Sequence, residues 1–235
     1  MVSNASMIAS LNPAVPVIAD ADTGYGGPVM VSRTVIQYAR AGVAALHIED
    51  QVQQKRCGHL LGKQLVDRET YYARLRAAVA ARDQIGSEML IIARTDARQS
   101  YGFDEAVARL REAVKIGVDV VFLEAMASKE EAAEACRLFA GIPCFLNMVP
   151  GGTTPNIGVD EARTMGFKIM IHPVICFQPI MAAVRKEFEI LQRTGVVSED
   201  NQVAGVKDAF NLAGLQECIA LDQAAGGQTY GEVGQ

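Results

Sequence analysis

Short apolar runs that end in polar side chains recur along this chain, and they limit its fold more than any other feature. Each run has the length of one strand, and a segment with helical periodicity follows it. Near-continuous apolar strands need cover on both faces, so the repeat predicts a parallel sheet packed against helices. The predicted strands are residues 15–19, 44–48, 89–93, 118–123, 144–146 and 168–171.

The helical segments between these strands carry start and stop signals. Gly42 and Gly117 follow two of the segments and end them. Ser128 caps another segment, and Glu131 three residues later completes a capping box. The predicted helices are residues 1–11, 29–41, 68–82, 103–116, 128–139, 159–165, 177–194 and 206–224.

Polar residues at the strand ends distinguish between two α/β architectures, a doubly wound sheet and a (β/α)8 barrel. A barrel gathers the carboxyl ends into one ring, whereas an open sheet concentrates its site at one switch point. The glycine-rich turn 24–27 has neither dinucleotide-binding nor P-loop spacing. We therefore predict a TIM-type barrel with six of its eight strands visible, a barrel core over 1–195 and a C-terminal helical extension over 196–235. The strand-end residues are Asp20, Asp22, Glu49, Arg94, Glu124, Asn147 and His172.

Composition narrows the classes of function. With 235 residues, half of them hydrophobic, the chain can bury a sizeable core. A net charge of −5 without a basic stripe argues against nucleic-acid binding, and no apolar run is long enough to cross a membrane. Five scattered cysteines without zinc spacing favour reduced thiols and a cytoplasmic location.

Acidic residues at the ends of the first two strands predict a metal site. Asp20, Asp22 and Glu49 form a cluster of hard oxygen ligands, which suits Mg²⁺, with Mn²⁺ as the alternative. The competing interpretation is that these acids cap helices or face solvent. Asp50 has a lower rank as a ligand and is predicted to orient the loop that follows it.

That loop contains a cysteine among cations, Lys55-Arg56-Cys57-Gly58-His59. Neighbouring cations and imidazolium favour a reactive thiolate and bind anionic substrate groups. A solvated basic loop with an incidental cysteine is the alternative interpretation.

Two other polar strand residues have ambiguous roles. Arg94 either clamps a substrate carboxylate or pairs structurally with Glu49 or Glu124. His47 lies within a strand, and we predict that it is a satisfied core residue rather than a ligand.

Four segments together resemble one enzyme family. They are DADTGYGG at 20–27, HIEDQ at 47–51, KRCGH at 55–59 and ARTDA at 93–97. In this order they resemble the isocitrate lyase/phosphoenolpyruvate mutase superfamily, and KRCGH is similar to the signature of its carbon–carbon lyase branch. Within that branch the chain resembles the 2,3-dimethylmalate lyases, the 2-methylisocitrate lyases and the fungal oxaloacetate hydrolases.

The resemblance implies a role for each matching residue. Mg²⁺ would be held, partly through water, by the acids of the metal cluster, and Cys57 would protonate the departing carbanion from a gating loop. Tyr25 is a candidate for the base that removes the hydroxyl proton. Implied members of the site are Asp20, Asp22 and Glu49 for the metal, Lys55, Arg56, Gly58 and His59 on the loop, and Arg94, Glu124 and Asn147 around the substrate.

The implied reaction is the Mg²⁺-dependent cleavage of a 2-hydroxy dicarboxylate to a 2-keto acid and a carboxylate. In the resemblance, dimethylmalate lyases carry proline where oxaloacetate hydrolases carry serine, and this chain has Pro173 there. Proline cannot hydrogen-bond a hydrated ketone, so a methyl-substituted malate is preferred over oxaloacetate. The alternatives are oxaloacetate hydrolysis to oxalate and acetate, or a catalytically silent oligomerising protein.

The resemblance also implies two further strands before Met1, with a Ser-Gly-Gly-type turn and another metal-associated aspartate. The chain is therefore expected to be truncated, by a wrong start, as a fragment or as a noncatalytic remnant, and a missing leader would permit a mitochondrial location. A homotetramer that swaps C-terminal helices is implied as well, with 177–194 and 206–224 as the swapping segments.

Overall fold

The computed structural model describes residues 1–58, 60–198 and 205–228. The chain divides into two compact units, Met1–Val174 and Ile175–Gln235. The sequence placed residues 177–194 in the barrel core, whereas here they fall in the second unit. The predicted domain boundary at residue 195 stays a prediction.

The first unit contains one sheet of parallel strands in the order in which they occur along the chain. Sequential order without a reversal is typical of a barrel and not of a doubly wound sheet. The sheet curls into a half-barrel, which confirms the predicted fold class and its six strands. The strands are β1 Ile18–Asp20, β2 Ala45–Glu49, β3 Leu90–Thr95, β4 Val120–Leu123, β5 Cys144–Asn147 and β6 Ile169–Ile171.

The predicted helices of the first unit are all present, and one further helix occurs among them. This extra helix, Ala97–Tyr101, is too short to show periodicity in the sequence. Gly102, with a φ of 92°, separates it from the next helix. The helices are α1 Val2–Leu11, α2 Pro28–Arg40, α3 Arg68–Gln84, α4 Ala97–Tyr101, α5 Phe103–Ile116, α6 Lys129–Leu138 and α7 Val159–Met165.

The second unit consists of helices α8 Phe177–Thr194, α9 Val206–Leu212 and α10 Leu215–Ala224. The predicted helix 206–224 is therefore two helices, because Gly214 adopts a left-handed φ of 93° between them. None of the helices in the described ranges is long and apolar enough to span a membrane.

Side chains along each strand alternate between the two faces of the sheet. Leu46 and Ile48 of β2 pack into the larger apolar cluster, which includes helix side chains. Ala45 packs with Phe122 and Phe145 in a smaller cluster built from strand residues. The same alternation places the polar strand-end side chains on the face of the smaller cluster, away from the helices: His47, Glu49, Arg94, Glu124 and Asn147.

Candidate active site

A cavity of about 460 Å³ lies at the carboxyl ends of the strands and gathers most of the predicted site residues. Strand pairing brings them there, since Asp20 is in register with His47 and Glu49 with Arg94. The lining residues are Asp20, His47, Lys55, Cys57, Gly58, Arg94, Phe122, Glu124, Asn147, Val149, Ile171, Pro173 and Val174.

Arg94 is a buried cation surrounded by three carboxylates. Its Nε lies 3.0 Å from Asp96 Oδ2 and 3.3 Å from Glu49 Oε2, and its Nη2 lies 3.3 Å from Glu124 Oε2. The guanidinium also lies over the Phe122 ring, 5.0 Å from its centroid. Burial alone would lower the pKa of Arg94, but the three carboxylates outweigh burial and raise it. The structural pairing predicted for Arg94 is present, and contact with a substrate carboxylate stays a prediction.

Lys55 brings the predicted metal ligands together. Its Nζ lies 2.5 Å from Asp22 Oδ1, 3.5 Å from Glu49 Oε1 and 4.0 Å from Asp20 Oδ2. Asp20 Oδ1 also accepts a hydrogen bond from the Asp22 amide at 2.7 Å. The three acids therefore face a common cation, and their role as metal ligands stays a prediction.

Glu49 has an oxygen that suits a further cation. Its carboxylate is fully buried, and Oε1 accepts no hydrogen bond from the residues that the structure describes. Burial raises the pKa of Glu49 to about 7. Carboxylate oxygens are ligands that Mg²⁺ prefers, so the donor set fits such an ion. Within the described ranges, however, no three His, Cys, Asp or Glu side chains are arranged to hold a metal ion directly.

The cysteine loop, residues 52–64, is closed at its neck by the bridge between Gln51 and Leu65. The Gln51 side chain holds the loop through both the amide and the carbonyl of Arg56. Arg56 itself is exposed, and its guanidinium donates to the Leu61 carbonyl at 3.4 Å outside the cavity. His59, a predicted catalytic residue, lies outside the described residues.

The backbone of Gly58 packs closely against side chains from the strand ends. A Cβ on Gly58 would lie 2.5 Å from Arg94 Nη2 and 3.1 Å from Glu124 Cγ, so only glycine fits. Cys57, the preceding residue, is exposed and lines the cavity. The predicted proton donor therefore lines the same cavity as Arg94 and Glu124.

Asp50 fastens the end of β2 to the end of β3. Its buried carboxylate accepts hydrogen bonds from Thr95 Oγ1 at 2.5 Å, from the Asp96 amide at 2.9 Å and from Arg109 Nη1 at 3.1 Å. Its backbone carbonyl accepts from the Val66 amide at the base of the loop. The carboxylate contacts residues outside the loop, so the loop-orienting role predicted for Asp50 stays a prediction.

His47 differs from its predicted role as a satisfied core residue. It lines the cavity, and its Nδ1 lies 3.5 Å from Asp20 Oδ1 without a hydrogen bond to the described part of the chain. Its ring packs edge-on against Phe122 and Phe145. Alternate residues of a strand face the same side of the sheet, so His47 shares the face of Glu49. This alternation was the sequence signal that could have predicted His47 at the site.

Burial lowers the pKa of His47 to about 4, so the folded state disfavours the protonated ring. As pH falls from about 6.5 to about 4, the unfolded chain binds this proton first, and stability falls by up to about 3 kcal/mol. We expect His47→Phe to lose less stability than the wild type over this interval. Urea unfolding across the interval measures the difference, and parallel curves for the two proteins would contradict the expectation.

Tyr25 is poorly placed for the predicted role of base. Its hydroxyl lies 3.2 Å from the Tyr38 hydroxyl and donates to the Asp20 carbonyl at 3.4 Å, and it does not line the cavity. Burial and the Tyr38 hydrogen bond raise its pKa. Because an efficient base has a pKa near the working pH, this environment does not favour Tyr25.

Glu124 and Asn147 form a hydrogen-bonded pair on the cavity wall. Asn147 Nδ2 donates to Glu124 Oε2 at 3.1 Å, and Glu124 Oε1 accepts from the Ala125 amide at 2.9 Å. Pro173 follows β6 and completes this wall. The sequence predicted all three as substrate-binding residues, and that role stays a prediction.

The chain matches the family model described as phosphoenolpyruvate phosphomutase over residues 1–192. It is 47% identical over 169 residues to 2-methylisocitrate lyase of Aeropyrum pernix, covering 72% of this chain and 53% of that protein. It is 38% identical over 196 residues to 2,3-dimethylmalate lyase of Eubacterium barkeri, covering 83% of this chain and 65% of that protein. The chain thus spans between half and two thirds of these relatives.

Solved structures show the same relationship. A 2,3-dimethylmalate lyase in a trigonal crystal form has a TM-score of 0.93 at 51% identity, covering 100% of this chain and 77% of that one. Oxaloacetate acetylhydrolase with 3,3-difluorooxalacetate has a TM-score of 0.91 at 48% identity, and the match covers 97% of this chain and 77% of that one. Phosphonopyruvate hydrolase with oxalate and Mg²⁺ has a TM-score of 0.79 at 28% identity, and the match covers 94% of this chain and 76% of that one. The chain belongs to the phosphoenolpyruvate phosphomutase family, within the isocitrate lyase/phosphoenolpyruvate mutase superfamily.

Proposed function

We propose that this chain is a carbon–carbon lyase that cleaves a 2-hydroxy dicarboxylate into a 2-keto acid and a second carboxylate. The observation that carries the proposal is the cavity itself, where Cys57 and Lys55 of the cysteine loop meet Arg94 and Glu124 of the strand ends. A thiol, two cations and polar wall residues around one space are the parts that such a cleavage requires.

Charge balance supports a divalent cation in this site. Among the described residues around the cavity, carboxylates outnumber cations, so a dianionic substrate would be repelled without an additional positive charge. We propose that Mg²⁺, with Mn²⁺ as the alternative, would be held by Asp20, Asp22 and Glu49, partly through water, and would polarise the substrate oxygen. The charged groups are Lys55, Lys63 and Arg94 against Asp20, Asp22, Glu49, Asp96 and Glu124.

Cleavage of the C2–C3 bond leaves its electron pair on the departing fragment. The hydroxyl oxygen on C2 loses its proton to a base and forms the carbonyl double bond, so that C2 becomes the carbonyl carbon of the 2-keto acid. Cys57 Sγ donates its proton to the carbon of the departing fragment, which becomes the second carboxylate product. Lys55 and Arg94 lower the energy of the negative charge that develops before this transfer.

Pro173 favours a methyl-substituted malate, such as 2,3-dimethylmalate or 2-methylisocitrate, over oxaloacetate. It lines the same cavity as Asn147 and offers no hydroxyl to a hydrated ketone. Oxaloacetate hydrolysis to oxalate and acetate is the second candidate, supported by the similarity to oxaloacetate acetylhydrolase.

The test measures initial rates on both substrates with Mg²⁺. We expect pyruvate release from 2,3-dimethylmalate to exceed oxalate release from oxaloacetate, and chelation of the metal to stop turnover. Pro173→Ser should shift the ratio of the two rates toward oxaloacetate by roughly two- to tenfold, the effect of one hydrogen bond. Faster oxalate release by the wild type would support the second candidate, and no turnover on either substrate would favour the silent protein.

We further propose a homotetramer whose C-terminal helices are covered by other copies of the chain. Helix α8 has no buried residue, and it exposes an apolar row at helical spacing, Ile180, Val184, Phe188 and Leu191. An uncovered row of this length is unusual for a helix in water.

A further inference from the structure

Lys63, at the far end of the cysteine loop, is a buried cation that the proposed reaction does not use. Its side chain is 0% exposed. Nζ donates to the Gly58 carbonyl at 2.6 Å and to Asp96 Oδ1 at 2.8 Å. A buried ammonium is stable only when charge pairing and hydrogen bonds replace its water, so these two contacts explain why Lys63 can lie there.

The two partners of Lys63 belong to different parts of the site. Gly58 is the residue after Cys57 and packs against Arg94. Asp96 follows β3 and binds Arg94 through both of its oxygens. Lys63 Nζ therefore joins the cysteine-bearing segment of the loop to the ion pair at the strand end.

Asp96, which accepts this hydrogen bond from Lys63, is itself held in place by its surroundings. Its carboxylate is fully buried, and its backbone amide is fixed by Asp50. Burial would raise the pKa of Asp96, but Arg94 and Lys63 outweigh burial and lower it, so the carboxylate remains ionised. An ionised, immobile acceptor makes the Lys63 contact a charge-assisted hydrogen bond.

We infer that Lys63 is a positioning residue that holds the Cys57–Gly58 segment against Arg94 and Glu124. Lys63 binds the Gly58 carbonyl, and the neighbouring Cys57 stays exposed and lines the cavity. The catalytic consequence rests on the proposed function of Cys57, whereas the positioning itself does not.

Hydrogen exchange of the full-length protein tests this inference without relying on turnover. Lys63→Met removes the charge and both hydrogen bonds while it keeps most of the side-chain volume. We expect amides of the cysteine loop, including that of Leu60, to exchange about tenfold faster relative to amides of α2 and α5. This factor corresponds to about 1.4 kcal/mol of local stability.

The control is the same substitution at an exposed lysine, Lys115→Met on α5, which should leave the ratio of loop to helix exchange unchanged. If Lys63→Met destabilises the whole fold, Lys63→Gln is a milder variant, because it keeps a hydrogen-bond donor for Gly58 and lacks only the charge that pairs with Asp96. The measured quantity is again the ratio of loop to helix amide exchange. An unchanged ratio in the folded Lys63 variant would overturn the inference. If the Lys63 variant raises the ratio of loop to helix exchange but the wild type shows no lyase activity, the positioning role of Lys63 is supported and only the proposed function is refuted.

Discussion

Replacing Cys57 with serine is expected to reduce 2-keto acid release by about 10²- to 10⁴-fold, the contribution of a positioned proton donor. Cys57 is exposed and lines the cavity, so its replacement should leave the fold intact. The measurement is steady-state turnover of 2,3-dimethylmalate with Mg²⁺. Serine is close to cysteine in size but is a much weaker acid, so a loss would report the chemistry of the thiol.

The matched control is Cys218→Ser, which changes another exposed cysteine, on α10. This variant should turn over substrate at the wild-type rate. Equal rates for Cys57→Ser and the wild type would remove Cys57 from the reaction, whatever the identity of the substrate.

Replacing Arg94 with methionine is expected to destabilise the protein by about 3–5 kcal/mol, because it leaves buried carboxylates without their cation. Arg94 is the shared partner of Glu49, Asp96 and Glu124, all of them buried. Unfolding in urea near neutral pH measures this loss. The effect should shrink in acid, where the carboxylates become protonated.

Arg137→Met is the corresponding control on α6. Arg137 pairs with Glu134 on the surface, where water and salt screen the interaction, so little change is expected. If Arg94→Met were as stable as this control, the carboxylates around Arg94 would not be held in their charged form.

The strands, helices and architecture of the first unit follow closely from the sequence. Apolar runs and helix stop signals are local patterns, and residues 103–116 and 159–165 are helical in the structure as predicted. The differences have local physical causes. Helix α4 is too short to show a period, and Gly214 interrupts a helix that its flanking residues favour.

The candidate site was predictable where a residue stands at a strand end. Asp20, Glu49, Arg94, Glu124 and Asn147 were found this way, since parallel strands bring their carboxyl ends to one edge. His47 was assigned to the core because a lone histidine in an apolar run usually belongs there. Lys63 carried no signal that separates it from the other cations of its loop.

The order of the elements, the edge of the sheet that carries the site and the residue types gathered there all follow from local patterns in the sequence. The pairing of the charges became known from the folded chain: Lys55 with the acids of β1 and β2, Arg94 with three carboxylates, and Lys63 with Asp96. This difference arises because the two kinds of interaction act over different distances along the chain. Periodicity and turn chemistry act over a few residues, whereas an ion pair such as Lys63–Asp96 joins positions 33 residues apart and depends on burial that the whole fold creates.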